Sequence, residues 1–188
     1  MESKNNSYKI LVGLGNPGKE YENTYHNAGF LAIDFFTAEK KHLPGKKMLS
    51  KKFEYSKNKN LIFAKPLTYM NDSGIAVKNA LKFFKADADE LLVIHDDSDI
   101  KIGEYKISFE RGSAGHKGIE SIIQHLHTNK FWRLRIGIRP PAYADERRLK
   151  RGLTRKKASE FVLKKISSQH QRILISTFET IAKQIDRF

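Results

Sequence analysis

Lys9-Ile-Leu-Val-Gly-Leu-Gly-Asn-Pro-Gly-Lys-Glu-Tyr-Glu-Asn-Thr-Tyr-His-Asn-Ala-Gly29 is the stretch whose reading decides the fold. Ile10 to Leu14 is an apolar run of the kind found in strands buried on both faces, and it breaks at Gly13-Leu14-Gly15-Asn16-Pro17-Gly18. A loop therefore starts where a buried strand ends, and in open α/β sheets that rim is where ligands bind. This loop carries an amide (Asn16), an aromatic ring (Tyr21) and an imidazole (His26) to the rim. Gly13, Gly15 and Gly18 also spell G-x-G-x-x-G, but a dinucleotide site needs a helix to open at once and an acid about 20 residues on, at the end of a second strand. Lys19 to His26 has no apolar helical period, and Asp34 falls inside the next helix. Nucleotide binding is the weaker reading.

Downstream, Asn27 to Lys40 reads as a helix with Leu31, Phe35 and Ala38 on one stripe and Asn27 available as its N-cap. A lysine-rich surface connection through Pro44-Gly45 leads to a hairpin of Phe53 to Lys57 and Leu61 to Lys65, closed by Pro66. Leu67 to Gly74 is a second loop at a strand end, carrying Tyr69, Met70 and Asn71 and followed by a helix with Val77, Leu81 and Phe84 on one face. Leu91 to Ile94 is another buried strand, and it delivers His95-Asp96-Asp97-Ser98-Asp99 to its end. Glu104 to Phe109 alternates as a strand. Arg111 to Gly118 is a flexible loop, and Ile119, Ile122, Ile123 and Leu126 mark a helix. Trp132 to Ile138 is the last strand, followed by a basic run, a helix near Lys156 to Lys164, and a final helix with Leu174, Phe178, Ile181 and Ile185 on one face. Strands alternating with helices, plus a hairpin, predict an α/β three-layer fold: a mixed central sheet flanked by helices in a single domain spanning 1–188.

The chain has 35 Lys plus Arg against 21 Asp plus Glu, a net charge of +14. A field of that sign draws polyanions. The charge is clustered: residues 139–157 hold Arg139, Arg147, Arg148, Lys150, Arg151, Arg155, Lys156 and Lys157 against Asp145 and Glu146. This basic loop or lid points to nucleic acid. The absence of cysteine excludes disulfides, thiolate metal sites and a cysteine nucleophile. With no apolar signal segment at Met1 to Ser7 and no apolar run near the ~18 residues of a membrane span, the sequence predicts a soluble intracellular protein.

If the three loops converge, they hold a general base, a carboxylate to orient it, and amides to fix a carbonyl. A neutral imidazole takes a proton from water, a carboxylate on its other nitrogen selects the tautomer, and an asparagine N–H stabilises a developing oxyanion. That chemistry is a hydrolase without a protein nucleophile. Gly112-Ser113-Ala114-Gly115 has the wrong spacing for a serine-hydrolase elbow. His95, Asp97 and Asp99 share a face of an extended chain but lack a second cluster of ligands, so the expectation is no metal.

Five blocks, V-G-L-G-N-P-G-K-E-Y with H-N-A-G-F, K-P-L-T-Y-M-N-D-S-G, V-I-H-D-D-S-D, G-S-A-G-H-K-G-I-E-S-I and F-W-R-L-R-I-G-I-R-P, resemble in order and spacing the bacterial peptidyl-tRNA hydrolase family over nearly the whole chain. The resemblance implies a metal-free, cofactor-free, monomeric cytoplasmic enzyme that cleaves the ester joining a peptide to the 3′ ribose of tRNA. It implies His26 as the base that activates water, Asp96 as the carboxylate that orients it, and Asn16 as a hydrogen-bonding partner of the substrate's peptide backbone. Asn71, with Met70 and Tyr69, would position the scissile ester and the 3′ CCA end, with Tyr21 and His116 in the same cleft. The chain departs from the family's G-H-N-G with Gly115-His116-Lys117-Gly118, which leaves the substrate-positioning role at Lys117 open. Arg135 matches a tRNA-phosphate position whose usual lysine partner is here Ser108, and Lys106 or Lys117 would substitute in holding the acceptor arm. The rival reading is a noncatalytic RNA-binding protein on the same scaffold.

Overall fold

The computed structural model describes residues 8–39, 48–58, 61–140 and 161–185. Strand β1 (Ile10–Gly13) is buried along its whole length. Helix α1 (Ala28–Glu39) follows, then β2 (Met48–Leu49), β3 (Phe53–Asn58), β4 (Leu61–Pro66) and α2 (Ser73–Phe84). The second half holds β5 (Leu91–Lys101), β6 (Tyr105–Phe109), α3 (Lys117–Leu126), β7 (Trp132–Arg139) and α4 (Ser168–Ile185). They build one mixed sheet in the order β2-β3-β4-β1-β5-β7-β6. Its centre, β4-β1-β5-β7, is parallel, while β2, β3 and β6 are added antiparallel.

Side-chain alternation along the strands feeds two cores. Leu11, Leu92, Ile94, Leu134 and Ile136 pack with Ala28, Ala32, Ile33 and Phe36 of α1 and Leu174, Phe178 and Ile181 of α4. Ile10, Val12, Ile62, Leu91 and Val93 pack with Val77, Ala80 and Leu81 of α2 and Ile119 and Ile122 of α3. This is the three-layer arrangement the sequence predicts. The chain leaves β1 through α1 to one side of the sheet and enters β5 from α2 on the other face, so β1 and β5 flank the switch point where α/β proteins open a crevice.

Several expectations need correction. The buried stripe of α1 is Ala28, Ala32, Ile33 and Phe36; Leu31 and Phe35 are half-buried and Ala38 is exposed. The segment Ala-Gly-Phe-Leu-Ala-Ile is apolar on every side, so periodicity alone picks no face. The His95-Asp96-Asp97 cluster does not follow β5 but lies inside it, because β7 continues to pair with it through Asp97. Edge strand β2 has no sequence signal beyond two apolar residues. From Val162 onward the chain preceding α4 is not helical, and the rest of the helix expected near Lys156 to Lys164, the Pro44-Gly45 connection and the basic run beyond Pro140 lie outside the described residues.

Two glycines let α1 dock backbone-on-backbone. A Cβ on Gly13 would fall 2.2 Å from the Gly29 carbonyl oxygen, and one on Gly29 would fall 2.3 Å from the Ile94 carbonyl oxygen. Phe30 N–H donates to the Leu14 carbonyl (3.1 Å) and Leu14 N–H to the Ile94 carbonyl (2.8 Å), so the start of α1 is tied directly to the ends of β1 and β5.

Candidate active site

A cleft of about 480 Å³ opens at the carboxyl ends of the parallel strands. Asn16 stands in the loop after β1. Its backbone N–H donates to Asn27 Oδ1 (2.8 Å), and Asn27 Nδ2 donates back to its carbonyl (3.0 Å). Asn27 is therefore not the helix cap the sequence suggested; its amide clamps the site loop. Asn16 Oδ1 in turn accepts from Met70 N–H (2.7 Å), which fixes the amide's orientation and leaves Nδ2 as a donor in the cleft.

His26 sits in a short 3₁₀ turn, Tyr25–Asn27, just before α1. Its Nδ1 lies 2.9 and 3.0 Å from the two oxygens of Asp96. Asp96 falls on the α1 face of β5 by alternation with Ile94, and it is 2% exposed. With both carboxylate oxygens facing Nδ1, that nitrogen carries the proton and Nε2 is left as an acceptor. Burial acts to lower the His26 pKa, but the charge and hydrogen bond of Asp96 outweigh it and hold the imidazole above its ordinary 6.5. Burial likewise acts to raise the Asp96 pKa, and is overcome by His26 and His116, so the carboxyl stays well below the usual range.

His116 is the second donor to this carboxylate, with Nε2 3.0 Å from Asp96 Oδ1. Its Nδ1 accepts from Ile119 N–H (3.4 Å), capping α3. Both ring nitrogens are thus committed, and His116 braces Asp96 rather than offering a free proton. Nothing in the sequence spacing links positions 96 and 116; only the loop that folds α3 against the end of β5 does so. His95 points to the opposite face, donates Nδ1–H to the Asp96 carbonyl (2.7 Å), and is held neutral by burial and by His116. With His95 tied to backbone and Asp97 paired with Arg135, the His95, Asp97 and Asp99 set does not converge.

A family model described as peptidyl-tRNA hydrolase matches residues 10–188. The chain belongs to the peptidyl-tRNA hydrolase family. The peptidyl-tRNA hydrolase of Mycoplasma capricolum subsp. capricolum is 41% identical over 182 residues, covering 96% of this chain and 92% of that protein. That of Lactobacillus delbrueckii subsp. bulgaricus is 41% identical over 186 residues, with the same coverage. The crystal structure of peptidyl-tRNA hydrolase from Acinetobacter baumannii matches with a TM-score of 0.78 at 27% identity, covering 98% of this chain and 90% of that one.

Within this peptidyl-tRNA hydrolase fold, the cleft gathers His26, Asp96, Asn16, Tyr21, Tyr69, Met70, Asn71, His116 and Lys117. Tyr21 and Tyr69 meet edge to face at 6.2 Å, and Asn71 is exposed at the start of the turn before α2. The Lys117 ammonium turns outward to Glu120 (3.0 Å). Arg135 and Lys106 face each other across β7 and β6, outside the cleft, and Arg135 Nε donates to Asp97 (2.7 Å). Sequence reasoning also missed the strap at Phe161 to Ile166. His26 N–H donates to the Val162 carbonyl (2.8 Å), Ile166 N–H to the Asn23 carbonyl (2.7 Å), and Lys165 Nζ to the Glu20 and Glu22 carbonyls (2.9 and 2.6 Å). Val162 and Leu163 form an apolar wall of the cleft.

Proposed function

We propose that the protein is a peptidyl-tRNA hydrolase that cleaves the ester between a peptide, or an N-blocked aminoacyl group, and the 3′ ribose of tRNA. The observation that carries this reading is the pairing of His26 Nδ1 with the buried Asp96 carboxylate, which leaves Nε2 as a base in the cleft. Water held by Nε2 attacks the ester carbonyl as its proton passes to the imidazole, and Asp96 stabilises the imidazolium that forms. The free Nδ2 of Asn16 donates to a carbonyl of the blocked aminoacyl group, and Asn71 donates to the oxyanion. Collapse of the tetrahedral intermediate breaks the bond to the ribose oxygen, which takes the proton back from His26. The products are free tRNA and a carboxylic acid. Arg135 and Lys106 are assigned to phosphates of the acceptor arm. Among the described residues, no helix is long and apolar enough to cross a membrane.

The test is release of free tRNA from N-acetyl-aminoacyl-tRNA, with the unblocked aminoacyl-tRNA as control. Selective cleavage is expected, and His26→Ala is expected to lower kcat by at least about 10²-fold while tRNA binding stays within a few-fold. Full turnover in that variant would remove His26 from the role of base.

A further inference from the structure

We infer that His26, Asp96 and His116 form an inhibitory binding site for a divalent transition-metal cation of the zinc class. The inference rests on the reading of His26 as base and adds a means by which that base is switched off. His26 Nδ1 and His116 Nε2 approach the same Asp96 oxygen at 2.9 and 3.0 Å, and the three ligand atoms lie within 4.8 Å of one another. Zinc takes imidazole nitrogen and carboxylate oxygen at about 2.0–2.2 Å in tetrahedral geometry, which places neighbouring ligand atoms about 3.3 Å apart. The two nitrogen–oxygen edges are already close to that separation, so only the edge between the imidazoles has to close.

Chemistry and access point the same way. Asp96 is a buried carboxylate with one oxygen set between two imidazole nitrogens, the ligand types that zinc takes. All three residues line the cleft, through which an ion and a fourth, water ligand can enter, and Asp97 and Asp99 line it too. Two imidazoles and one carboxylate suit zinc, copper or nickel and not magnesium, which demands an octahedron of oxygens. Magnesium accompanying a tRNA substrate therefore does not compete.

Inhibition follows from the tautomers. In the metal-free site His26 carries its proton on Nδ1 and keeps Nε2 free for water. A cation on Nδ1 forces the remaining proton onto Nε2, which then cannot accept one. On His116 the cation takes Nε2 in place of its hydrogen bond to Asp96, and moving the proton to Nδ1 breaks the long 3.4 Å bond from Ile119 N–H. Two hydrogen bonds to Asp96 are given up, which weakens the site relative to a dedicated metal centre.

The experiment uses the full chain and zinc chloride as the probe. Equilibrium dialysis is expected to give one zinc per chain, and His116→Asn to weaken it at least about tenfold, as for loss of a ligand. In ¹⁵N-histidine spectra of the wild-type protein, zinc is expected to move the His26 proton from Nδ1 to Nε2. This readout stands even if the variant does not fold. Hydrolysis of N-acetyl-aminoacyl-tRNA should fall more than about tenfold at saturating zinc and recover fully with a chelator, while magnesium alone changes nothing. Zinc binding that is equal in wild type and His116→Asn, or imidazole signals that do not move, would overturn the inference and leave the base reading intact. An enzyme inactive with chelator and activated by zinc would instead overturn inhibition and the metal-free base together.

Discussion

Asp96 is one carboxylate between two imidazoles, and its effects on rate and on stability run in opposite directions with pH. With His26 as the proposed base, turnover needs its neutral form, so kcat/KM is expected to rise with pH along an acid limb that inflects above 6.5, the ordinary histidine value. Asp96→Asn removes the charge that raises the His26 pKa, leaving burial to lower it; the limb should move below 6.5 while the rate falls by about 10²–10⁴-fold. An unmoved limb in a pH–rate profile would count against the pairing. For stability, the raised His26 pKa contributes fully below 6.5 and is lost as pH climbs through it. The lowered Asp96 pKa contributes above 3.8 and is lost as pH falls. The pair therefore stabilises most between these two values. Asn27 shows where residue-level reading ends. A polar residue before a helix is a cap by every local signal, yet its amide is spent on Asn16. Asn27→Ala leaves a buried N–H and a buried carbonyl unpaired, with an expected loss of about 2–4 kcal/mol in urea unfolding and a lower kcat from the loosened Asn16 loop. By residue type His26, Asp96 and Asn16 were only three of several candidates in the loops; the resemblance to the family singled them out. The His116 bond to Asp96 was not legible, since it joins distant positions whose contact exists only once α3 is docked.

At the level of elements, apolar runs and 3.6-residue spacing located β1, β4, α2, α3 and α4, because burial there is one-sided or complete. The same logic misread the end of β5. Polar His95, Asp96 and Asp97 are buried in the ladder with β7, and their partners lie elsewhere in the chain, so local polarity resembled a loop. The strap at Phe161 to Ile166 was equally hidden: its value lies in carbonyls and N–H groups, which every sequence has. Packing of α2 on α3 offers a sharp test. Gly74 N–H donates to Ser121 Oγ (3.0 Å), and a Cβ there would fall 2.1 Å from the Ser121 carbonyl oxygen. Gly74→Ala is expected to cost about 1–3 kcal/mol in thermal or denaturant unfolding. Because α2 begins just after Met70 and Asn71 and α3 just after His116, the variant should also lower kcat/KM in its folded fraction.

The whole molecule is a basic body, +14 in net charge, and the proposed chemistry rests on a buried carboxylate and the imidazole paired with it. Charge and chemistry are thus separable by salt. Phosphate contacts release counterions, so KM for the tRNA substrate is expected to rise about tenfold between roughly 50 and 200 mM salt while kcat changes little. A steady-state titration that moved kcat instead would place the salt sensitivity in the cleft. Fold class was legible at this scale because alternating strands and helices admit few layer arrangements. Strand order was not, since β1 pairs with β4 and β5 through contacts that no local pattern encodes.

His26 is held in place by main chain resting on main chain: at Gly13 and Gly29, with the carbonyls of Leu14 and Ile94, the start of α1 meets the ends of β1 and β5 directly. Ile33 and the rest of the first core pack beside that contact. Evolutionary drift that exchanges aliphatic residues away from this contact can therefore trade away stability while the main-chain rest beneath the His26 turn persists. For the docking of α1, intolerance is concentrated at Gly13 and Gly29, where even a methyl group is too large.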